Sequence, residues 1–441
     1  MKMLFILLSI ELLCLPLFGK DIDYKAEKLP LDTTVYYHIL KLEETITLEE
    51  NDSIILSSIS DIKLNYDNSE ILICDRALRS VLNFDYTNGN YIERKVSGLY
   101  IQHDLAVNYD KAVKTWLDEP YELVDTTRYR EIGLTKEDVD RLLVSSFNYI
   151  IDDNKDNLEL LTYITLPAST FTQKMNQIFN LPINVVLDKN SGSIITFSFF
   201  NFDSDKYFPL SNNGVKVNND YYITGMNAQF IFDYSQEKIK NKDDIIKYEL
   251  TTLTRHDSTG NLKSIVGKIP KSYLNSNLLY EYLILKMINI SDEIYYGYHF
   301  DENIYKENDK VAFTFKNLPY SNSNGLADLK NISSNRRKNK NLSPLNSNEI
   351  GQICPISLVN IINRKDNLLV LFTVYEENHP LKMYYILQEY TTEGELLTQT
   401  YFDDHPENQI KNVFYDSKND YLCFLRKSKK GWTVEKRSFK W

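Results

Sequence analysis

The sequence lacks the motifs by which common catalytic and metal sites are recognised. It contains no P-loop, no GxGxxG phrase and no GxSxG nucleophile elbow. Its four cysteines include no CxxC pair, and its six histidines are scattered without metal-ligand spacing. We therefore assign no catalytic, cofactor-binding or metal-binding residue from the sequence, and we predict no cofactor.

Cysteine is too rare for a disulfide framework. After the first 19 residues only Cys74, Cys354 and Cys423 remain, and this odd number allows at most one disulfide within the chain. Cys74 and Cys423 occupy similar places in the second strands of two predicted hairpins. We interpret them as small buried apolar residues.

Positive charge is in deficit. The chain has 50 basic and 61 acidic residues, and its formal net charge is −11. Such a charge repels phosphate backbones, so nucleic acid is not an expected partner. Beyond Gly19 no apolar run approaches the roughly 20 residues that a membrane-spanning helix needs. We therefore predict no transmembrane span after the N-terminal segment.

The N-terminus has the pattern of an export signal. Lys2 supplies a positive start, residues 3–10 and 12–18 are apolar apart from one serine, and Gly19 precedes a polar stretch. This pattern predicts a signal peptide over residues 1–19 and a location in the periplasm or at the cell surface. The residues before Cys14 lack the small side chain that lipid attachment sites carry, so cleavage near Gly19 is preferred to lipid anchoring.

A short phrase recurs along the chain: a few apolar residues, a polar turn rich in Asn and Asp, and a second apolar run. Asn and Asp tolerate the turn geometry that joins adjacent strands, so each copy predicts a β-hairpin. Repetition at intervals of tens of residues indicates a repeat architecture. The clear copies are residues 62–74, 149–161, 185–197, 359–371 and 413–424, and the weaker copies are residues 105–113, 215–223 and 286–296.

The spacing of these copies is typical of propeller blades. Ile194 and Tyr222 are only 28 residues apart, too close for two four-stranded units, so one of these hairpins is expected to be the outer half of a neighbouring blade. A second turn phrase recurs around Gly89, Gly260 and Gly394, where a positive φ is expected. Short strands with regular turns predict an all-β fold.

Three segments depart from the repeat. Residues 20–50 form a lead-in with a predicted strand at 34–40, which would close the ring by pairing with the C-terminal strands. Residues 134–144 have helical spacing and an N-cap at Thr135, so a short inserted helix is predicted. Residues 321–348 are polar and low in complexity, which predicts a disordered insertion in a propeller spanning residues 51–441.

The phrases at residues 60–75 and 81–92 together resemble one blade of the NHL-like six-bladed β-propeller proteins, many of them exported bacterial proteins or lipoproteins. The resemblance is clear over residues 58–125, weaker over 355–441 and poor between. The family's Gly-rich stretch is absent, because residues 96–100 keep only Gly98. The resemblance implies six blades, whereas the hairpin spacing also allows seven.

The sequence therefore predicts an exported, non-catalytic β-propeller of the bacterial cell envelope. Its ligand would be a protein, peptide or glycan held on one face of the ring. The alternative is a propeller enzyme, a hydrolase or lyase, with its site in the central channel. Residues 152–159 resemble a calcium loop, but Asn157 and Tyr163 stand where Gly and Glu are required, so a plain hairpin is preferred.

Overall fold

The structure is a computed structural model of the whole chain. Statements of structure below refer to the described residues only. These residues are 27–31, 39–51, 54–97, 143–166, 179–200, 207–227, 250–270, 273, 285–326, 328–329, 347–376, 379–403, 409–429 and 431–440.

The described residues form a six-bladed β-propeller, in which each blade is a four-stranded antiparallel sheet. Two strands precede the first blade: β1 (Glu27–Lys28) and β2 (Ile39–Thr47). Blade 1 comprises β3 (Ile59–Leu64), β4 (Glu70–Asp75), β5 (Ser80–Asp85) and β6 (Tyr91–Ser97). Blade 2 comprises β7 (Leu143–Asp153), β8 (Asn157–Leu166), β9 (Phe179–Asp188) and β10 (Ile194–Phe199). Blade 3 comprises β11 (Tyr207–Val217), β12 (Asp220–Asn227), β13 (Thr251–His256) and β14 (Leu262–Lys268).

The second half of the chain supplies the other three blades. Blade 4 comprises β15 (Leu285–Ile290), β16 (Glu293–Tyr298), β17 (Asn303–Lys306) and β18 (Val311–Thr314). The connection to blade 5 contains β19 (Tyr320–Ser321) and the helix α1 (Ser347–Ile353). Blade 5 comprises β20 (Ile356–Arg364), β21 (Asn367–Glu376), β22 (His379–Tyr390) and β23 (Leu396–Asp403). Blade 6 takes β24 (Gln409–Asp416), β25 (Tyr421–Ser428) and β26 (Gly431–Lys440) from the end of the chain.

The fourth strand of blade 6 comes from the N-terminal segment. β2 pairs antiparallel with β26, from Ile39 opposite Lys440 to Thr47 opposite Thr433. The innermost strand of each blade contacts the innermost strand of the next blade around the ring. Blade 6 thus combines an N-terminal strand with three C-terminal strands, and β2 covers the edge that β26 would otherwise expose. Of the predicted lead-in strand at 34–40, residues 34–38 lie outside the described part.

Most of the core lies between blades rather than within one. Phe84 of blade 1 packs in one buried cluster with Phe414 and Trp432 of blade 6. Phe313 of blade 4 stacks on Tyr390 of blade 5, with ring centroids 4.8 Å apart. Each sheet is covered by neighbours on both faces, so its middle strands have continuous rather than alternating apolar sequences. This packing accounts for the high content of aromatic and β-branched residues.

The predicted hairpins settle the number of blades. Residues 62–74, 149–161, 215–223, 286–296, 359–371 and 413–424 each form the two inner strands of one blade. Residues 185–197 form β9 and β10, the outer half of blade 2. The prediction of six blades is confirmed, and the alternative of seven is wrong. The weak copy at 105–113 lies outside the described residues.

The second turn phrase has the predicted backbone geometry. Gly89, Gly260 and Gly394 have φ values of 78°, 93° and 84°. Each of the three lies between the third and fourth strands of its blade. The prediction of positive φ at these glycines is confirmed.

The two predicted insertions are only partly described. Leu143 and Val144, the end of the helix predicted at 134–144, belong to the strand β7, and residues 134–142 lie outside the described part. Only the two ends of the segment 321–348 are described, and both have regular structure. Ser321 pairs with β1, residues 323–326 are helical, and α1 begins at Ser347. The physical reason is burial, since Asn322 is 1% exposed and bonds to the carbonyls of Phe300 and Ile356.

Candidate functional site: the central channel

The inner strands of the six blades surround a cavity of about 490 Å³ on the ring axis. Each of these strands, β3, β7, β11, β15, β20 and β24, contributes side chains to the wall. Such an axial cavity is lined by one strand per blade, so residues distant in sequence meet there. The size lies within the range of small-molecule sites, roughly 300–1,000 Å³.

Three of the six inner strands place a polar residue on the cavity wall by the same local feature. In β3, β20 and β24 a β-bulge inserts one extra residue, and the next residue is Asp61, Asn360 or Asn412. The Oδ1 atom of each accepts a hydrogen bond from the backbone N–H of the residue that follows it. Bulges re-aim side chains, and all three of these residues line the cavity.

Two of these side chains also join neighbouring blades. The Oδ2 atom of Asp61 accepts a hydrogen bond from the N–H of Ile150 in blade 2, at 2.9 Å. The Nδ2 atom of Asn360 donates to the carbonyl of Val413 in blade 6, at 3.1 Å. These bonds fix the spacing of adjacent inner strands and hence the width of the channel.

The charged groups of the channel perturb one another. Burial raises the pKa of Asp61, against the opposing effects of Lys63, Lys286 and two backbone hydrogen bonds. Burial lowers the pKa of Lys286, and the nearby Asp61 acts in the opposite direction. Lys63 extends along the wall and donates to the carbonyl of Ile150. Burial also raises the pKa of Tyr149 above its ordinary value.

Several hydrogen-bond donors on the wall have no partner among the described residues. The Lys286 ammonium makes no hydrogen bond there, and the Nδ2 atoms of Asn363 and Asn412 make none either. By contrast, both Asp61 oxygens and both ends of the Asn360 amide are occupied. The open hydrogen-bonding capacity that we identify on the wall is therefore donor capacity.

His256 and His299, two described histidines that do not line the channel, bond to neighbouring groups of the protein. His256 is fully buried, with Nδ1 3.1 Å from the carbonyl of Gly260 and Nε2 2.9 Å from the Thr254 hydroxyl. Burial lowers its pKa to about 4. His299 bonds through Nδ1 to the carbonyl of Leu358, and burial lowers its pKa to about 4 as well. The prediction that His256 is structural agrees with these contacts.

The calcium-like phrase at 152–159 forms the β7–β8 hairpin, as the sequence predicts. Its Asp153 accepts a hydrogen bond from the N–H of Tyr66 at 2.6 Å and pairs with Lys189 at 2.5 Å. These groups connect blade 1 to blade 2. No cluster of three or more His, Cys, Asp or Glu side chains suited to a metal ion occurs within the described ranges.

A second cavity of about 280 Å³ lies beside blade 4. Its acidic side chains are already engaged. Asp301 accepts hydrogen bonds from the Tyr305 hydroxyl at 2.7 Å and from the Asn303 amide at 3.0 Å. Glu302 accepts from Ser321 Oγ and from the N–H of Asn322, both at 2.7 Å. We interpret this cavity as structural packing around the connection to blade 5.

Sequence reasoning missed the channel residues. A signal exists for three of them, since Asp or Asn followed by Ile or Val stands five residues before the first turn residue of the first hairpin in blades 1, 5 and 6. Lys286 carries no comparable signal. Its place on the wall follows from the closure of the ring and from no local sequence pattern.

Among the helices that the structure describes, none is both long and apolar enough to cross a membrane.

Comparisons with known proteins show no family for this chain. No family model matches the sequence, and no curated protein matches it. The NHL-like resemblance therefore stays a prediction.

Solved structures with a similar fold include a DUF4221 family member from Bacteroides vulgatus, with 9% identity, 92% of this chain and 99% of that one covered, and a TM-score of 0.46. A protein from Bacteroides fragilis described as exported has 13% identity, coverage of 95% and 99%, and a TM-score of 0.48. The PQQ-bound aldose sugar dehydrogenase of Streptomyces coelicolor has 7% identity, coverage of 91% and 98%, and a TM-score of 0.41. At these identities the similarity concerns the fold alone.

Proposed function

We propose that this chain is an exported, non-catalytic β-propeller of the bacterial cell envelope that binds its ligand at the mouth of the central channel. The observation that carries the proposal is the cavity of about 490 Å³, on whose wall Lys286, Asn363 and Asn412 present unused donors. Export rests on the apolar N-terminal segment, which lies outside the described residues. A channel site agrees with the expectation of a peptide or glycan ligand held on one face.

The polar residues of the cavity wall fit a binding site better than a catalytic site. Asp61 is the one carboxylate that we find on the described wall, and both of its oxygens accept backbone N–H groups. A pair of carboxylates that divide acid and base roles is therefore not assembled from the described wall. The side-chain amides of Asn360 and Asn412 can form hydrogen bonds but cannot act as acids, bases or nucleophiles.

A blocking variant tests the site. Ser60 is the small bulge residue of β3 and lines the cavity, so Ser60→Trp places an indole in the channel. Ile195→Trp, on an exposed position of β10, is the matched control. We expect members of a peptide and glycan panel to raise the melting temperature of the unmodified chain and of the Ile195 variant, and to have no effect on the Ser60 variant. Equal shifts in all three proteins would place binding elsewhere.

One observation favours the enzyme as a second candidate. Asp61 and Lys286 lie on one cavity wall with pKa values that burial displaces in opposite directions, and such perturbed groups concentrate at functional sites. In an enzyme these two groups would move protons. Asp61→Asn would then abolish turnover of a bound ligand, whereas a binding protein would show no turnover before or after the substitution.

A further inference from the structure

We propose that the channel ligand carries an oxyanion, a carboxylate or a phosphate, which binds the ammonium group of Lys286 and the side-chain amide of Asn412. This inference rests on the proposed function, because it specifies the ligand of the same site. It adds the chemical class of the ligand and the residues that recognise it.

The first argument is the balance of donors and acceptors. Lys286, Asn363 and Asn412 line the cavity, and Lys286 Nζ and the Nδ2 atoms of the two asparagines have no hydrogen-bond partner among the described residues. An ammonium can only donate, and an amide NH₂ group can only donate. A wall whose open groups are donors is complemented by a ligand rich in acceptors, and the oxygens of carboxylates and phosphates are the strongest acceptors for such groups.

The second argument is local charge. Lys63, Lys286 and Lys411 line the cavity together with a single carboxylate, Asp61. The lining is therefore positive in a chain whose net charge is −11. Composition alone would favour a negative surface, so the fold gathers lysines at this place. A positive, partly enclosed cavity in a negative protein concentrates small anions and repels large cations.

The third argument is the free-energy cost of burying the Lys286 ammonium without a hydrogen-bond acceptor. Lys286 is half-buried between the other inner strands, and burial lowers its pKa. A charge removed from water without a partner destabilises the folded protein. Asp61 also lines this cavity, but its two oxygens already accept hydrogen bonds from the N–H groups of Ile62 and Ile150. A bound oxyanion would supply the hydrogen-bond acceptor that Lys286 lacks among the described residues.

Calorimetric titration of the purified full chain with three probes tests the inference. The probes are D-glucuronate, inorganic phosphate, and D-glucose as an uncharged match for glucuronate. We expect glucuronate or phosphate to bind and glucose to bind at least about tenfold more weakly, because a charge-assisted hydrogen bond is lost. Comparison of glucuronate with phosphate shows which oxyanion the site prefers.

Variants assign the residues. Lys286→Met removes the charge and keeps the length of the side chain, and we expect it to weaken oxyanion binding by about tenfold or more. Asn412→Leu is expected to weaken it by a smaller factor. Lys310→Met is the matched control, since Lys310 lies on the outer part of the same blade and is exposed. Its affinity should equal that of the unmodified chain.

Three outcomes would overturn the inference. If Lys286→Met binds the oxyanions as tightly as the Lys310 variant does, Lys286 is not the anchor. If glucose binds as well as glucuronate and Ser60→Trp abolishes both, the channel binds ligands but the oxyanion is not recognised, and the proposed function survives alone. If neither oxyanion binds at millimolar concentration, the inference fails, while the peptide and glycan panel still decides the proposed function.

Discussion

Arg364 of blade 5 and Asp420 of blade 6 form a two-point ion pair, with Nε to Oδ1 and Nη2 to Oδ2 both at 2.9 Å. The same guanidinium donates through Nη1 to Glu389 at 2.7 Å and lies over the ring of Phe439. Arg364 is 8% exposed, so its charge depends on these partners. The pair joins the last two blades next to the seam that closes the ring.

Removal of this guanidinium should destabilise the propeller. Arg364→Met leaves the buried Glu389 carboxylate without its cation, and we expect the free energy of unfolding to fall by about 3 kcal/mol. Lys365→Met is the control, because Lys365 is exposed and its bond to Asp420 at 2.6 Å is screened by solvent. We expect it to cost less than about 1 kcal/mol. Urea unfolding measures both, and equal losses would refute the special role of Arg364.

Gly89 should be essential to the ring closure. Its φ is 78°, and a Cβ built there would lie 2.1 Å from the carbonyl oxygen of Thr47 in β2. Gly89→Ala therefore adds steric overlap to backbone strain, and we expect a loss of about 3 kcal/mol or more. Gly192→Ala is matched in φ, at 67°, but its nearest contact is 3.8 Å away.

The free energy of unfolding of the Gly192 variant should fall only by the backbone strain of a positive φ, about 1 kcal/mol. Thermal unfolding of both variants separates the two effects. A Gly89 variant as stable as the Gly192 variant would mean that the approach of β2 is not tight.

The buried histidines should make stability depend on pH. The folded chain holds His256 neutral down to about pH 4, whereas the unfolded chain protonates it near pH 6.5. The stability that this provides is present above pH 6.5 and is lost as the pH falls toward 4. Between pH 7 and pH 5 one such histidine accounts for about 2 kcal/mol.

A difference measurement isolates this contribution. Asp61 and Asp153 have raised pKa values, so they act in the opposite direction at lower pH, but they do so in every variant. We expect the fall in unfolding free energy between pH 7 and pH 5 to be about 2 kcal/mol smaller in His256→Gln than in the unmodified chain. An identical pH dependence would show that His256 is not protected from protonation.

Lys286→Met should leave the ligand-free protein at least as stable as the unmodified chain. The half-buried ammonium has no hydrogen-bond partner among the described residues, so its removal deletes an unfavourable desolvation and a methionine fills the same space. We expect the melting temperature to be unchanged or higher, with Lys310→Met as the neutral reference. A marked fall would indicate that Lys286 supports the fold rather than a ligand.

The three described cysteines should resist modification in the native state. Cys74, Cys354 and Cys423 are free and buried, and burial raises the pKa of Cys423 to about 12. A thiol that is protonated and shielded reacts slowly. We expect a thiol reagent such as Ellman's to detect these three groups in denaturant and none of them in native buffer. Rapid native labelling of any one of them would contradict the burial of that thiol.

Local features of the fold were predictable because they depend on neighbours in the chain. The two-residue turns depend only on local sterics, since Lys365 and Asp366 both have the positive φ, 52° and 67°, that such a turn requires. The glycines of the outer turns were predictable for the same reason, because a positive φ is a local steric requirement. The outer strands were harder to find, because they carry no recurring phrase, and so the spacing alone allowed seven blades. Leu326 and Leu329 are buried in a segment of polar composition through contacts that no local pattern shows.

The amino-acid sequence by itself determined the hairpins, the sign of φ at their turns and the all-β class, since strand and turn preferences act over a few residues. Only the tertiary structure decided the number of blades, the pairing of β2 with β26 and the lining of the channel. The contact of Lys436 with Glu44 spans 392 residues, and no local preference encodes a contact of that range. The six inner strands converge on one axis because each blade buries both faces against its neighbours, and that convergence assembles the polar wall.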